Sequence, residues 1–525
     1  MFKNTGKLLQ FTFKREWKNL LIWLVAIVGF NYIVAINFPA LYPTKEALET
    51  LKISYNIPTM RSMLGPVFGY ADTTLTIAMA FSMECLLWIC LPSAIMNIFL
   101  VIRNTRADEE QGRSEQVLAL PVGRFSKPMA VVLCALITNM ILTLALCLTM
   151  FATNIDGITF AGSLCYGLSV GSAGLIFAGV ALIASELFST ASGATTFSFA
   201  VFLISFILRG IGDMKENVLS YISPLGLPLM TFPFYKNHNI WLLFILVASV
   251  IFIIKAFGIS LFRDTGAGII PASVGKADGK IKNTFGLAFK LSKITIISWI
   301  SGMLLIGASY GMVIPDIDKF LKDNGTLSQL VEAGGSGSMA NNYIAMIVMI
   351  SSVLMVVPSI ALFGRLYKEE KRNRAEQVFA LPVSRYKYFA SYLVVSVFTS
   401  LILPLFLSIG IYLVATDYVS LNELLKATYV YLPAILVMLG LDCFFTGICP
   451  KLKFINWIIF TYSFVVLYFG RILDLPEWAN KLSPFGNISQ LPVQDLKIAS
   501  LYVLSGIAMI LVWLGFDAYR KRDME

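Results

Sequence analysis

The chain has 525 residues, of which 57% are hydrophobic and 14% charged, where a water-soluble globular chain carries about a quarter charged residues. This composition excludes a soluble fold. The net charge of +10 does not point to nucleic acid, because the basic residues recur in step with the loops, the pattern of a membrane topology signal.

In chain order, Phe11, Phe13, Trp17 and Leu20 alternate with Lys14, Arg15 and Lys18, which suits a short helix lying in the membrane interface. The apolar run 20–36 follows without a small-residue cleavage site, so it reads as an uncleaved anchor. Runs near 74–102, 129–153, 161–185, 191–209 and 239–262 complete six spans, each long enough to cross a bilayer at about 1.5 Å per residue. The stretch 263–291, rich in Gly, Ala, Ser and Lys, reads as a cytoplasmic linker. Six more spans lie near 292–314, 341–363, 387–416, 427–448, 454–471 and 498–518. All must be helical, because lipid satisfies no backbone hydrogen bonds. The expected fold is therefore an all-α polytopic membrane protein with about 12 transmembrane helices. It divides into a first six-helix half (1–262), the linker (263–291) and a second six-helix half (292–525).

Placing both termini in the cytoplasm puts roughly two thirds of the Lys and Arg residues inside, as the positive-inside rule requires. The loops 39–72, 210–237 and 474–496 then face outward.

The loop after span two reads ADEEQGRSEQVLALPVGR from Ala107 to Arg124, and the loop after span eight reads KEEKRNRAEQVFALPVSR from Lys368 to Arg385. Ten of the eighteen positions are identical at a constant offset, which marks an internal repeat. The same offset aligns Asp213 with Asp474, and a nearby one aligns Ser223, Pro224 and Gly226 with Ser483, Pro484 and Gly486. Each half has an even number of spans, so the copies share one orientation. Pseudo-two-fold symmetry about an axis along the membrane normal follows.

Within the repeated loops, Glu109 with Arg113 and Glu370 with Arg374 stand four residues apart, the spacing of an ion pair on one helix. Pro121 and Pro382 end those helices. Val117, Leu120 and Val122, and in the second loop Val378, Leu381 and Val383, form an apolar surface beside charges, suited to docking a partner. Candidate docking residues also include Glu115, Arg124, Glu376 and Arg385. The blander reading, a solvated helix packed on its own bundle, does not explain why both loops keep the same apolar and charged residues.

Glu110, Gly112, Arg113, Glu115 and the run LALPVGR resemble the cytoplasmic signature of ABC-2 type exporter permeases. The resemblance is nearest to the double-length tetronasin-resistance type, described as exporters of polyketide antibiotics. It extends over essentially the whole chain, including Ser483 to Gly486. The second loop departs from the first in having Asn373 in place of Gly112. The resemblance implies a bacterial plasma-membrane permease without its own ATPase. A separate ATPase subunit, in two copies, would grip the two loops and carry the ATP and magnesium. Consistent with that, the Gly-Lys pairs at Gly275 and Gly279 are followed by Ala and Ile, so neither completes a phosphate-binding loop.

Glu84 sits inside the second span, where a carboxylate is costly and marks a candidate for the substrate pathway; its counterpart in the second half is Ala345. The alternative is a glutamate protonated or hydrogen-bonded within the bundle. Asp442 and Lys255 lie nearer span ends, where they snorkel or pair, and Arg209 and Arg471 close spans five and eleven as anchors for the outer loops. The seven cysteines and His238 show no metal spacing, and no His, Asp and Ser constellation is present, so no metal or catalytic site is assigned. Scarce intramembrane charge suits an apolar or amphipathic small-molecule cargo. The competing class is an ion-coupled secondary transporter, which can also carry twelve spans and parallel repeats.

Overall fold

A computed structural model describes the chain except for residues 57, 71–72, 265, 272–280, 282, 317–338, 470–475 and 524–525. Arg471, Asp474 and the Gly-Lys pairs at 275 and 279 lie outside the described residues. Among those described, twelve helices are long and apolar enough to cross a membrane. They are α1 (Thr5–Leu41), α2 (Ile77–Glu110), α3 (Ser126–Phe151), α4 (Phe160–Leu187), α5 (Ala191–Lys215) and α6 (Ile240–Leu261), then α7 (Thr284–Gly311), α8 (Ala340–Lys371), α9 (Arg385–Val414), α10 (Leu421–Ile448), α11 (Pro450–Tyr468) and α12 (Ile498–Lys521). The protein is an all-α polytopic membrane protein, and it divides into two compact units, Met1–Gly275 and Lys276–Glu525.

Each unit has the same division of labour. Its second, third and fourth helices are 50–78% buried along their most apolar stretch, and its first, fifth and sixth only 17–22%. The peripheral helices expose large side chains such as Leu243, Phe244 and Ile254 on α6 and Tyr502, Met509 and Trp513 on α12. In water such surfaces would aggregate; lipid tails cover them at no cost.

Without a hydrophobic drive between helices in lipid, close packing and polar contacts hold the core. On α4, Gly167 and Gly171 stand four residues apart and face the backbone of Asn139 and Thr143 on α3, where a Cβ would crowd the neighbouring carbonyls. In the second unit Gly307 on α7 and Gly410 on α9 meet in the same manner, as do Gly447 on α10 and Gly515 on α12. Asn97 and Asn139 exchange amide hydrogen bonds of 3.1 and 2.8 Å between α2 and α3, and Ser93 donates to Val170 O on α4 at 3.1 Å. These three buried polar side chains are thus paired across helices, as a low-dielectric core favours.

The helices of the first and seventh spans start earlier than hydropathy leads one to expect. No separate interfacial helix precedes span one: α1 is continuous for 37 residues from Thr5. That is about 55 Å at 1.5 Å per residue, well beyond a hydrocarbon core of about 30 Å. Likewise α7 begins at Thr284, capped by Asn283, ahead of the apolar run. At the start of the expected linker, Ile270 N donates to Leu187 O at 2.7 Å and Ser189 N to Ile270 O at 3.3 Å, so this segment is tied to the first unit.

Candidate functional site

The repeated loops emerge from α2 and α8. In the first, Thr105 bends α2 and a short helix, Arg106–Glu110, runs to Gly112, whose φ is +70°. A second short helix, Arg113–Leu118, follows. In the second loop α8 continues to Lys371, Asn373 takes φ +54°, and Arg374–Phe379 is helical. Glycine, and after it asparagine, are the residues that enter this left-handed region cheaply, so the Gly-to-Asn difference leaves the backbone path alike. Both loops close on the same tight turn, Val122 N donating to Leu120 O and Val383 N to Leu381 O, at 2.7 and 2.6 Å.

The left-handed residue interrupts the helix and changes the expected pairing. Arg113 bonds not Glu109 but Asp108, at 2.7 Å, and Arg374 lies 3.6 Å not from Glu370 but from Glu369. Glu109 and Glu370 instead turn toward the end of their own unit's last span. Glu109 pairs with Arg263 at 2.9 Å and with Arg106 at 2.9 Å. Glu370 pairs with Arg522 and accepts the Tyr519 hydroxyl. Arg263 also pairs with Glu186. Burial alone would lower the Arg263 pKa, but the two carboxylates outweigh it and hold the guanidinium above its ordinary value.

Arg124 and Arg385 act on the same helix ends. Arg124 donates to Ser260 O and Arg263 O at 2.6 and 2.8 Å, and Arg385 to Arg520 O and Arg522 O at 3.1 and 2.7 Å. Each caps carbonyls left without partners at a helix C-terminus and opposes the negative end of its dipole. These contacts were missed in the sequence because they join residues more than 130 positions apart; the visible signal was an arginine just past the last span of each half.

What remains exposed is the same in both loops: Glu115 and Glu376, Leu120 and Leu381 (59% and 61% exposed), and Pro121 and Pro382. Val117 and Val378 are half-buried, and Val378 and Val383 pack on the second unit's core.

Of the other membrane charges, Lys255 is exposed on α6, and Glu84, Asp442 and Arg209 are partnered. Glu84, half-buried two turns into α2, accepts the Tyr42 hydroxyl at 2.9 Å. Asp442 pairs with Lys453 at 3.0 Å. Arg209 pairs with Asp213 at 2.9 Å and donates to Ser62 O at 2.6 Å, and Asp213 accepts the Ser220 hydroxyl, so this buried pair ties α5 to the adjoining loops. All seven cysteines are free thiols, buried or half-buried.

A family profile described as "Multidrug efflux system permease Rv1217c, C-terminal domain" matches residues 10–263 and 281–520. The chain belongs to this family. It is 28% identical to the multidrug efflux system permease protein Rv1217c of Mycobacterium tuberculosis (strain ATCC 25618 / H37Rv) over 536 residues, covering the whole of this chain and 96% of that protein. Family membership and the twelve apolar helices make the chain a transport permease of multi-pass membrane type.

Proposed function

We propose that this permease is the membrane subunit of an ABC-2 type exporter of the double-length, tetronasin-resistance kind. A separate ATPase, in two copies, engages the exposed faces of the two loops, and both termini lie in the cytoplasm beside it. The halves act as parallel repeats about an axis along the membrane normal. ATP binding with magnesium in the partner moves the loops, and each loop passes the movement to the last span of its half. The cargo is an apolar or amphipathic compound such as an antibiotic, in keeping with the relative's printed description as a multidrug efflux permease and with the scarcity of unpaired charge within the spans.

The observation that carries this reading is the duplicated loop. Two stretches that differ at eight of eighteen positions keep the same exposed Glu, Leu and Pro and the same internal ties, Glu109 to Arg263 and Glu370 to Arg522. A loop serving only its own bundle has no reason to keep an exposed leucine twice.

The test is co-purification of the permease with candidate ATPases from membranes, followed by ATP hydrolysis. Glu115→Ala with Glu376→Ala removes two exposed charges and should weaken assembly about tenfold or more, without lowering the Tm of the permease. If no ATPase accompanies the wild-type protein under membrane-preserving conditions, ion-coupled transport becomes the better reading, with Glu84 and its Tyr42 partner as the coupling site.

A further inference from the structure

A cavity of about 120 Å³ opens at the charged end of the first unit, between α1, the end of α2, the loop helix Arg113–Leu118 and the start of α3. On the same measure a single water needs about 10–15 Å³. Arg15, Arg113 and Lys127 converge there on one carboxylate, Asp108, at 2.9, 2.7 and 3.0 Å. Three cations against one anion leave a surplus of two positive charges. Glu16 pairs with both Arg15 and Arg103, at 3.6 and 3.4 Å, so adding this acid and Arg103 leaves the surplus unchanged. The remaining wall includes Leu8, Phe11 and Val117.

The depth of this cavity is set by α1. Arg15 lies five residues, about 7.5 Å of helix, before the apolar run that starts at Leu20. Phe11 and Trp17, on either side of it in sequence, are 55% and 52% exposed. Exposed aromatics alternating with Lys and Arg mark the headgroup layer of a bilayer.

We propose that this cavity binds the phosphate of an anionic phospholipid, with its acyl chains lying along the apolar side of α1. A basic recess between helices at headgroup depth, with an apolar wall, recognises a charge and a tail together. Because Arg113 and Asp108 belong to the repeated loop, an occupied site steadies that loop against α1 and α3. Among the described residues of the second unit, the position of Lys127 is held by Tyr388, in a cluster with Phe379 and Tyr392. The inference rests on the membrane architecture and not on the ATPase reading.

The experiment is native mass spectrometry of the full chain released from nanodiscs containing equal phosphatidylglycerol and phosphatidylcholine. The wild-type protein should retain phosphatidylglycerol preferentially. Arg113→Gln, in the exposed part of the loop, should lower that retention about fivefold, and Arg113→Gln with Lys127→Gln about 25-fold. Asp108→Asn should raise it, a sign opposite to that of general destabilisation. Lys290→Gln, which removes an exposed charge in the other unit, should leave it unchanged. Equal retention of the two lipids, equal loss in the Lys290 variant, or a Tm increase with inorganic phosphate that lipid does not reproduce would each overturn the proposal.

Discussion

Replacing Arg263 by glutamine tests whether the loop is fastened to the last span of its half. Arg263 and Glu109 have side chains 7% and 16% exposed, and Glu186, the second acid on this guanidinium, 2%. Breaking a fully buried ion pair by removing one partner costs about 3–5 kcal/mol, because a desolvated charge is left uncompensated. Glu109 keeps Arg106 after the substitution, at 2.9 Å, so part of that cost is recovered and about 2–4 kcal/mol is expected. For a unit of this size that is roughly 4–16 °C in Tm. The pKa of Arg263 is raised in the folded state, so its contribution is fully present at every pH below its unfolded value and is lost only in strong alkali. The loss should therefore be the same at pH 6 and pH 8. Intrinsic tryptophan fluorescence during heating reads the Tm for Glu109→Gln, Arg263→Gln and the double variant. A coupling of about 1 kcal/mol or more is expected between them. Additive single effects, or an unchanged Tm for Arg263→Gln, would refute the fastening.

Two further outcomes follow from the loop backbone. Gly112→Ala places a Cβ at φ +70° and should cost about 1–2 kcal/mol, whereas Asn373→Gly, at φ +54°, should be close to neutral; heating each variant distinguishes them. Gly123 receives the N-terminal segment of the chain, its N–H donating to Lys3 O at 3.2 Å while Phe125 N donates to Met1 O at 3.1 Å. A Cβ at Gly123 would collide with Met1 O, so Gly123→Ala should detach residues 1–4 and speed amide exchange at Phe125, read by hydrogen exchange of that peptide.

The number of spans was legible because bilayer thickness imposes a minimum apolar length that few other structures need. Helix starts were not, since Thr5 to Lys18 and Thr284 to Ser292 are polar enough to leave the lipid yet still favour helix, and hydropathy reads only the part that lipid covers. The repeated loops were visible as sequence, and their Glu115, Leu120 and Pro121 are exposed in the structure. Their internal bonding was misread for a specific reason. A four-residue ion pair presumes an unbroken helix, and Gly112 and Asn373, both residues at home in the left-handed region, already signalled a break. Arg263 and Arg522, which Glu109 and Glu370 meet at the ends of the last spans, lie about 150 residues away, and no local period reports such a contact.

The two halves hold the same exposed loop face by different means, and the difference separates support from surface. In the first unit Asp108 gathers Arg15, Arg113 and Lys127, so the loop rests on a charged network at the edge of the bundle. In the second, among the described residues, Glu369 pairs with Arg365 and Arg374 at 4.0 and 3.6 Å, and Tyr388, Phe379 and Tyr392 form an aromatic cluster at the loop. An aromatic cluster and an ion network respond differently to their surroundings: the network is screened by salt and competes for anions, the cluster is not and does not. Yet the Glu-to-Arg tie onto the last span and the exposed Glu, Leu and Pro are present in each. A tie retained over such different foundations serves what stands on it, and what stands on it is a face turned away from the rest of its own unit.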